Sequence, residues 1–520
     1  MKRAGRLLSL LLLVATLFSL TLAGCGTSQT GSDKPAAVEA SAAAAEPAAS
    51  EAPAAEPRDP YEVKWYFAGN KHFPDTEEVE KAINDKVADL NTTVKIQVYP
   101  WGEYPDKMSM IISSGDKFDM CFMGTWTNYY PHVAQGAFVD LTDLVATNLP
   151  KYSQVLAPQF MEGPKVKGRL YGLPTNKEIP EAYGFEVDTE MAKQIGVDFS
   201  NVKTYEDLEP ILKLAKEKLP SDIIPMHLQS TTVFRDGTFD NLGDVKIPGV
   251  VRMDDPSGKV INQFESQEFI KYWKLAYKWV QAGYANKDAS TQGAPDYWAN
   301  GKAFTRLENL GPISEYIGTK GQTIKRIYIG DKVIATGSTV GALTCFSRTS
   351  EKVERAMEFF DRVSTDSDLY NLVAFGIEGK HYQVLDANTN PKRIDFINGQ
   401  NEDTVGYIHS GGAWSMGGNW FLSYLNKIEP ANRNEMVEEF NKTAKTSALL
   451  GYSFDPAPVQ NEIAACANVY SELAISLNTG AVDPDKYASQ LATKMKEAGA
   501  DKIIAEKQKQ IDQWKKDNNK

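Results

Sequence analysis

The residues with the clearest chemistry are aromatic rings set in turns. The stretch "GTWTNYYP" carries Trp126, Tyr129 and Tyr130 beyond an apolar run, and "HSGGAWSMGGNWF" carries Trp414 and Trp420 among glycines. A ring on such a loop can lie flat against the C–H face of a sugar while neighbouring Asn, Asp, Glu and Thr bond its hydroxyls. The same rings can also cap the end of an apolar core, and both readings stay open at this point. Covalent chemistry has less to work with. There is no phosphate-binding glycine loop, no dinucleotide fingerprint, no His-Glu-x-x-His and no Gly-x-Ser-x-Gly. The histidines (His72, His132, His227, His381, His409) stand at no metal-ligand spacing from one another, so neither a metal nor a cofactor is expected. Asp236, Asp240 and Asp244 recur every four residues, which does not fit the alternate-position oxygens of a calcium loop and reads as a solvated acidic loop. A carboxylate pair for glycoside hydrolysis stays open, because Asp and Glu are plentiful and their separation in space is not given by sequence.

The elements that must hold these loops begin at "YEVKWYFAGN", where Val63, Trp65 and Phe67 alternate with Glu62, Lys64 and Tyr66 in a strand period. In "PDTEEVEKAINDKVADLN" the side chains of Val79, Ile83, Val87 and Leu90 fall on one helical face, with Asp75 or Thr76 as N-cap, and "TTVKIQVYP" returns to strand. Strand, helix and strand in this order predict an α/β unit with a parallel sheet. Further helices are expected at "TYEDLEPILKLAKEKL", "SQEFIKYWKLAYKWVQAG" and "SEKVERAMEFFDRVS", with short strands at "FDMCFMG", "RIYIG" and "GALTCF". From about Glu429 the chain is mostly helical, and Asp483 followed by Pro484 predicts a helix start.

Before Tyr61 the chain reads differently. Lys2, Arg3 and Arg6 precede an apolar block, Leu7 to Leu22, that is too short to span a membrane and ends in Leu-Ala-Gly-Cys. This ending resembles the lipobox of bacterial lipoproteins, which implies a signal peptide over 1–24 and a lipid on Cys25. Residues 25–59, rich in Ala, Glu, Pro and Ser, cannot bury a core and predict a disordered tether with a random-coil span on the order of 30 Å. Loss of the segment before Cys25 would take the net charge from -12 to -15, since it holds three basic residues and no acidic one. Nucleic acid is excluded as a partner by that balance. Cys121, Cys345 and Cys466 each sit among apolar neighbours and are expected as buried free thiols.

At "MSMIISSGDKFDMCFMGTWTNYYPHVAQGAFVDLTDLV" the chain resembles family 1 of the extracellular solute-binding proteins of ATP-driven importers. The pattern is a helix ending in Ser-Gly, Asp119 before an apolar strand, an aromatic loop, then Gln135 to Thr142. "GRLYGLP", "YWANGKAFTRLENLG" and "GIEGKHY" continue it, and "GYSFDPAPVQNEIAACANVYSEL" is similar to the tail of a subset of these lipoproteins. The resemblance implies a two-lobed α/β clamshell with a helical C-terminal region and a ligand held between the lobes. By the family's layout lobe 1 is 60–176 with 331–378, and lobe 2 is 177–330 with 379–520; the first crossing comes after "YGLPTN", where Pro174 and Pro180 frame an extended segment. Carried over by position, the ligand would meet Phe67 and Asn70 after the first strand, Thr125, Trp126 and Asn128 past Asp119, Glu181 or Tyr183 past the crossing, and Glu308 with Asn309 in "RLENLG". Asp119 is alternatively placed to brace its loop. The family's last aromatic contact has no clean match here, and Trp414 or Trp420 stands in for it. In function, the resemblance implies a monomeric, non-enzymatic receptor, lipid-anchored on the outer face of the cell membrane, that hands a carbohydrate, most simply an oligosaccharide, to the permease subunits of an importer. A receptor for a peptide or other small solute is the alternative, and a secreted glycoside-active enzyme a further one.

Overall fold

The computed structural model describes residues 58–291, 293–317 and 321–520; the lipobox-like ending, Cys25 and nearly all of the tether lie outside the described residues. Strand Tyr61–Gly69 buries Val63, Trp65 and Phe67 in the core. It pairs in parallel with Thr92–Pro100 on one side and Met120–Met123 on the other. Parallel pairing requires a crossover, and helix Thr76–Lys86 supplies the first, with Val79 and Ile83 in the core. Met120–Met123 is buried at every position, as a strand covered on both faces must be. Leu343–Phe346 runs antiparallel beside it, and Leu173–Pro174 completes a five-stranded sheet. Asp119 ties the near end of this sheet together. Its carboxylate accepts hydrogen bonds from Tyr61 Oη and Ser350 Oγ, both at 2.5 Å, and from the Lys64 amide at 2.8 Å.

The second lobe is organised by strand Glu181–Asp188, which lies antiparallel between Ala303–Asn309 and Thr323–Ile334. Ile224–His227 and Glu315–Ile317 extend the sheet on either side. Phe185 and Val187 join a helical core with Leu208, Leu212 and Trp279. Glu186, between them, falls on the other face, where it is only 1% exposed. A carboxylate buried there must be paired: Arg306 Nε and Nη2 donate at 2.9 and 2.8 Å, and Arg326 Nε at 3.1 Å. The helical tail packs on this lobe, with Cys466, Leu491, Met495 and Ile503 sharing a core with Trp273 of helix Gln267–Gln281. Asp483 caps Pro484–Glu497 by accepting from the Asp485 amide at 3.0 Å. Asp240 is not in a solvated loop as expected; it is buried, and Ser447 Oγ donates to it at 2.5 Å.

Among the described residues three segments cross between the lobes. The first runs from Pro174 to Glu181 and the second from Ile334 to Leu343. The third leaves Leu425, passes through helix Arg433–Lys442, and joins the second sheet where Lys445 and Thr446 pair with Val333 and Ile334. The layout that gave 379–520 to lobe 2 is therefore corrected. Val405, Tyr407 and Met416 are in the first lobe's core, Tyr407 Oη donates to Val373 O at 2.8 Å, and the His409 amide donates to Ala374 O at 2.9 Å. Helix Ser367–Phe375 belongs to lobe 1, and its C-terminal carbonyls at Val373 and Ala374 find their donors in this later segment of chain.

Candidate functional site

The parallel strands of the first lobe end at Gly69, Pro100 and Met123, beside the start of the first crossing at Pro174 and the end of the second at Leu343. Loops beyond the C-terminal ends of such strands are where α/β sheets hold ligands. Three tryptophans meet there. Trp101 stacks on Trp414, rings 5.8 Å apart and 3° from parallel, and Trp126 leans on Trp101 at 5.5 Å and on Phe122 at 5.5 Å. Glycine makes the arrangement possible: a Cβ on Gly411 would come within 2.5 Å of Ala68 O, so the loop carrying Trp414 can lie directly on the end of the first strand. Below it His409 is fully buried, its ring 4.4 Å from Phe67 and its Nε2 3.1 Å from Ser415 Oγ. Burial pushes its imidazole pKa down to about 3, so it stays neutral and structural.

This wall is tied to the crossings. Trp126 Nε1 donates to Gly341 O at 3.1 Å and the Thr125 amide to Val340 O at 3.0 Å. Asn176, in the first crossing, donates from Nδ2 to Asn419 Oδ1 at 2.9 Å and from its amide to Gly418 O at 2.8 Å.

The edge of the second sheet nearest the crossings is polar. Tyr183 lies opposite Asn309, and Glu181 opposite Val333. Asn309 is exposed, with Oδ1 accepting from the Ala182 amide at 3.2 Å. Glu308 accepts from the Asn309 amide at 3.0 Å and sits 3.2 Å from Arg306 Nη2. Glu181 accepts from Tyr183 Oη and lies 3.9 Å from Arg235 Nη1.

Of the residues expected at a ligand, Asn70, Trp126 and Asn128 are exposed and Thr125 and Trp414 half-buried on the first wall, while Glu181, Glu308 and Asn309 share the second. Phe67 is corrected: it is 0% exposed, because strand alternation puts it in the core with Trp65. Tyr183 is also buried, its ring 5.3 Å beneath the Arg235 guanidinium, and burial raises its phenol pKa well above the usual value. Trp420 stands apart from the other tryptophans. Its ring packs 4.2 Å from the Arg433 guanidinium, and its amide donates to Asn176 O at 3.1 Å, so it braces the first crossing. Sequence reasoning missed Trp101, Asn176, Asn419 and Arg235. For Trp101 the turn-forming "YPWGEYP" was the available signal; the others become site residues only through partners far along the chain. Among the described residues no group of His, Cys, Asp or Glu is arranged to hold a metal.

Flat rings on one wall and carboxylates and amides on the other can grip a polyhydroxylated ligand, and the known proteins that the chain resembles are described as solute- or substrate-binding proteins. Residues 73–303 match the family described as bacterial extracellular solute-binding protein, and 448–516 match a domain of unknown function, DUF3502. The chain is 31% identical to a carbohydrate ABC transporter substrate-binding protein of Streptococcus pneumoniae serotype 4 over 89% of this chain and 93% of that one. Among solved structures it is similar to the N-glycan transport solute-binding protein of S. pneumoniae, at 29% identity and a TM-score of 0.79, over 88% of this chain and 100% of that one. The same protein in complex with Man1GlcNAc gives 28% and 0.71 over 88% and 100%, and with Man5GlcNAc 29% and 0.68 over 88% and 99%. With two lobes, several crossings and a relative of this identity along nearly its whole length, the chain belongs to the bacterial extracellular solute-binding proteins.

Proposed function

We propose that this protein captures an oligosaccharide between its lobes and delivers it to the permease of an ABC importer, without covalent chemistry. The observation that carries the reading is the Trp101, Trp126 and Trp414 wall, set across the crossings from the Glu181, Glu308 and Asn309 edge. A ligand touching both walls binds the closed arrangement better than the open one, and that differential affinity is what shifts the population toward closure. The pneumococcal relatives, whose names state carbohydrate and N-glycan transport, support the ligand class.

The anchor belongs to the same reading: Leu-Ala-Gly-Cys25 after an apolar block supports a lipid on Cys25, placing the receptor on the outer face of the membrane. Two experiments test these statements. A thermal-shift panel of neutral and acidic oligosaccharides, peptides and polyols should raise the melting temperature with an oligosaccharide; a panel in which only peptides or polyols act refutes the carbohydrate reading. Cells expressing Cys25→Ser should release the protein from the membrane fraction, and retention equal to wild type refutes the anchor.

A further inference from the structure

We infer that the start of the tail, residues 447–453, is a clasp between the lobes, and that the segment matched to the domain of unknown function serves to set the lobe angle of the unliganded protein. The inference needs no particular ligand. Leu449 and Leu450 are neighbours in the chain but lie in different cores. Leu449 is 1% exposed beside Val251, Val260 and Ile511 on the second lobe, while Leu450 is 7% exposed in the cluster that fills the first. Their Cα atoms are about 3.8 Å apart across a trans peptide, so a rotation that parts the lobes at this point must draw one leucine out of its core.

Hydrogen bonds hold the clasp on both sides. In the second crossing the Thr336 hydroxyl donates to Leu449 O at 3.3 Å and accepts from the Gly451 amide at 3.0 Å, and the Ser447 amide donates to Ile334 O at 2.8 Å. Gly451 has a φ of 95°, and a Cβ there would stand 3.3 Å from Glu162 Cβ and 3.7 Å from Trp514 Cζ2. The chain therefore passes between the turn Pro158–Glu162, whose Phe160 lies in the first lobe's core, and the last helix, Ala500–Asp517. That helix is fastened to the second lobe through backbone groups. Lys507, 1% exposed, donates from Nζ to Gly249 O at 2.7 Å, Gln508 Oε1 accepts from the Val260 amide at 2.8 Å, and Lys515 Nζ donates to Pro256 O at 2.9 Å. Tyr452 Oη donates to Lys507 O at 3.4 Å and joins the clasp to the helix. Contacts that form together at one lobe angle favour that angle over others, so residues with no place on either ligand wall enter the cost of moving the lobes.

Pulsed electron–electron resonance on the unliganded full chain carrying Cys25→Ser tests the inference. Spin labels go on Lys81→Cys, in helix Thr76–Lys86, and Glu217→Cys, in helix Glu209–Lys218, both exposed positions, while Cys121, Cys345 and Cys466 are buried. Leu450→Ala and Thr336→Val should each widen the interlobe distance distribution by about half or more. Thr336→Ser, which keeps the hydroxyl, should match wild type. Met495→Ala, in the tail's own core, should lower the melting temperature and leave the distribution unchanged. If Leu450→Ala unfolds, the contrast between valine and serine at position 336 decides. The inference is overturned if a folded Leu450→Ala or Thr336→Val keeps the wild-type distribution, if Thr336→Ser widens it as much as Thr336→Val, or if Met495→Ala widens it as much as the clasp variants do.

Discussion

Replacing Trp126 with alanine separates a binding platform from a core cap, because the structure fixes both expectations. The side chain is 46% exposed. An aromatic side chain presents 150–250 Å² that can be covered, so about 100 Å² of this ring stands open. If a sugar ring covered all of it, the gain at about 25 cal/mol per Å² would approach 2.5 kcal/mol. A pyranose face covers part of an indole, which brings the expected loss on truncation to about 1.5–2 kcal/mol, or roughly 10- to 30-fold in Kd. The buried half sets the stability cost. It touches Trp101 and Phe122 and makes the hydrogen bond to Gly341 O, together worth about 1–2 kcal/mol, or a Tm decrease of about 1–2 °C in a chain this long. The assay is titration calorimetry with the tightest oligosaccharide of the screening panel, paired with a melting curve of the unliganded protein. A Kd unchanged within threefold refutes the platform, and a Tm loss beyond about 8 °C shows that Trp126 caps the core instead.

Buried groups give three more expected outcomes. His409 has a folded pKa of about 3 against about 6.5 unfolded, so between those values the unfolded state binds more protons and stability falls as pH drops. Urea unfolding should therefore show wild type losing on the order of 1 kcal/mol between pH 6 and pH 5 relative to His409→Gln, and parallel pH profiles would contradict this. Glu186→Ala leaves Arg306 and Arg326 without their shared carboxylate and should cost about 3 kcal/mol, less than a fully enclosed pair because both arginines are partly exposed; a change below about 1 kcal/mol would show that solvent replaces the pairing. Cys121, Cys345 and Cys466 are buried with thiol pKa values raised by desolvation, so alkylation without reductant should label all three only after unfolding. A disulfide between Cys121 and Cys345, which lie opposite each other in neighbouring strands, would be the contrary result.

The parts legible in the sequence were those with local causes. Alternation in "YEVKWYFAG" and the helical stripe from Val79 to Ile83 describe the first α/β unit, because each pattern is imposed by the one core it faces. The same alternation argued against Phe67 as a ligand contact: sharing a face with Val63 and Trp65, it had to share their burial. Glu186 could not be recognised as buried, since an acid among apolar neighbours in "EAYGFEVD" looks like a solvent-facing position until Arg306 and Arg326 arrive from two other strands. The placement of residues 379–425 was hidden for a similar reason. The glycine-rich composition of that stretch sets it apart from the helical tail but points to neither lobe, and only the bonds from Tyr407 and His409 back to helix Ser367–Phe375 assign it to the first lobe.

The same long-range bonds bear on how binding can drive closure. If the tryptophan wall were an independent surface, a sugar could stack on it and leave the lobe angle unchanged, since a ligand shifts an equilibrium only by interacting differently with its two states. Here the wall is fastened to two of the crossings: Thr125 and Trp126 hold Val340 and Gly341 of the second, and Asn419, in the loop beyond Trp414, holds Asn176 of the first. The third crossing is fastened to the first, with Asn441 Nδ2 donating to Lys177 O at 2.9 Å and the Ile179 amide donating to Asn441 Oδ1 at 3.0 Å. The rings are thus tied by hydrogen bonds to the segments that join the two lobes. On the carbohydrate reading proposed above, only a molecule that reaches from the tryptophans to the second wall would gain from closure. On this geometry a single sugar ring would stack without closing the lobes, and chain length becomes part of the recognition.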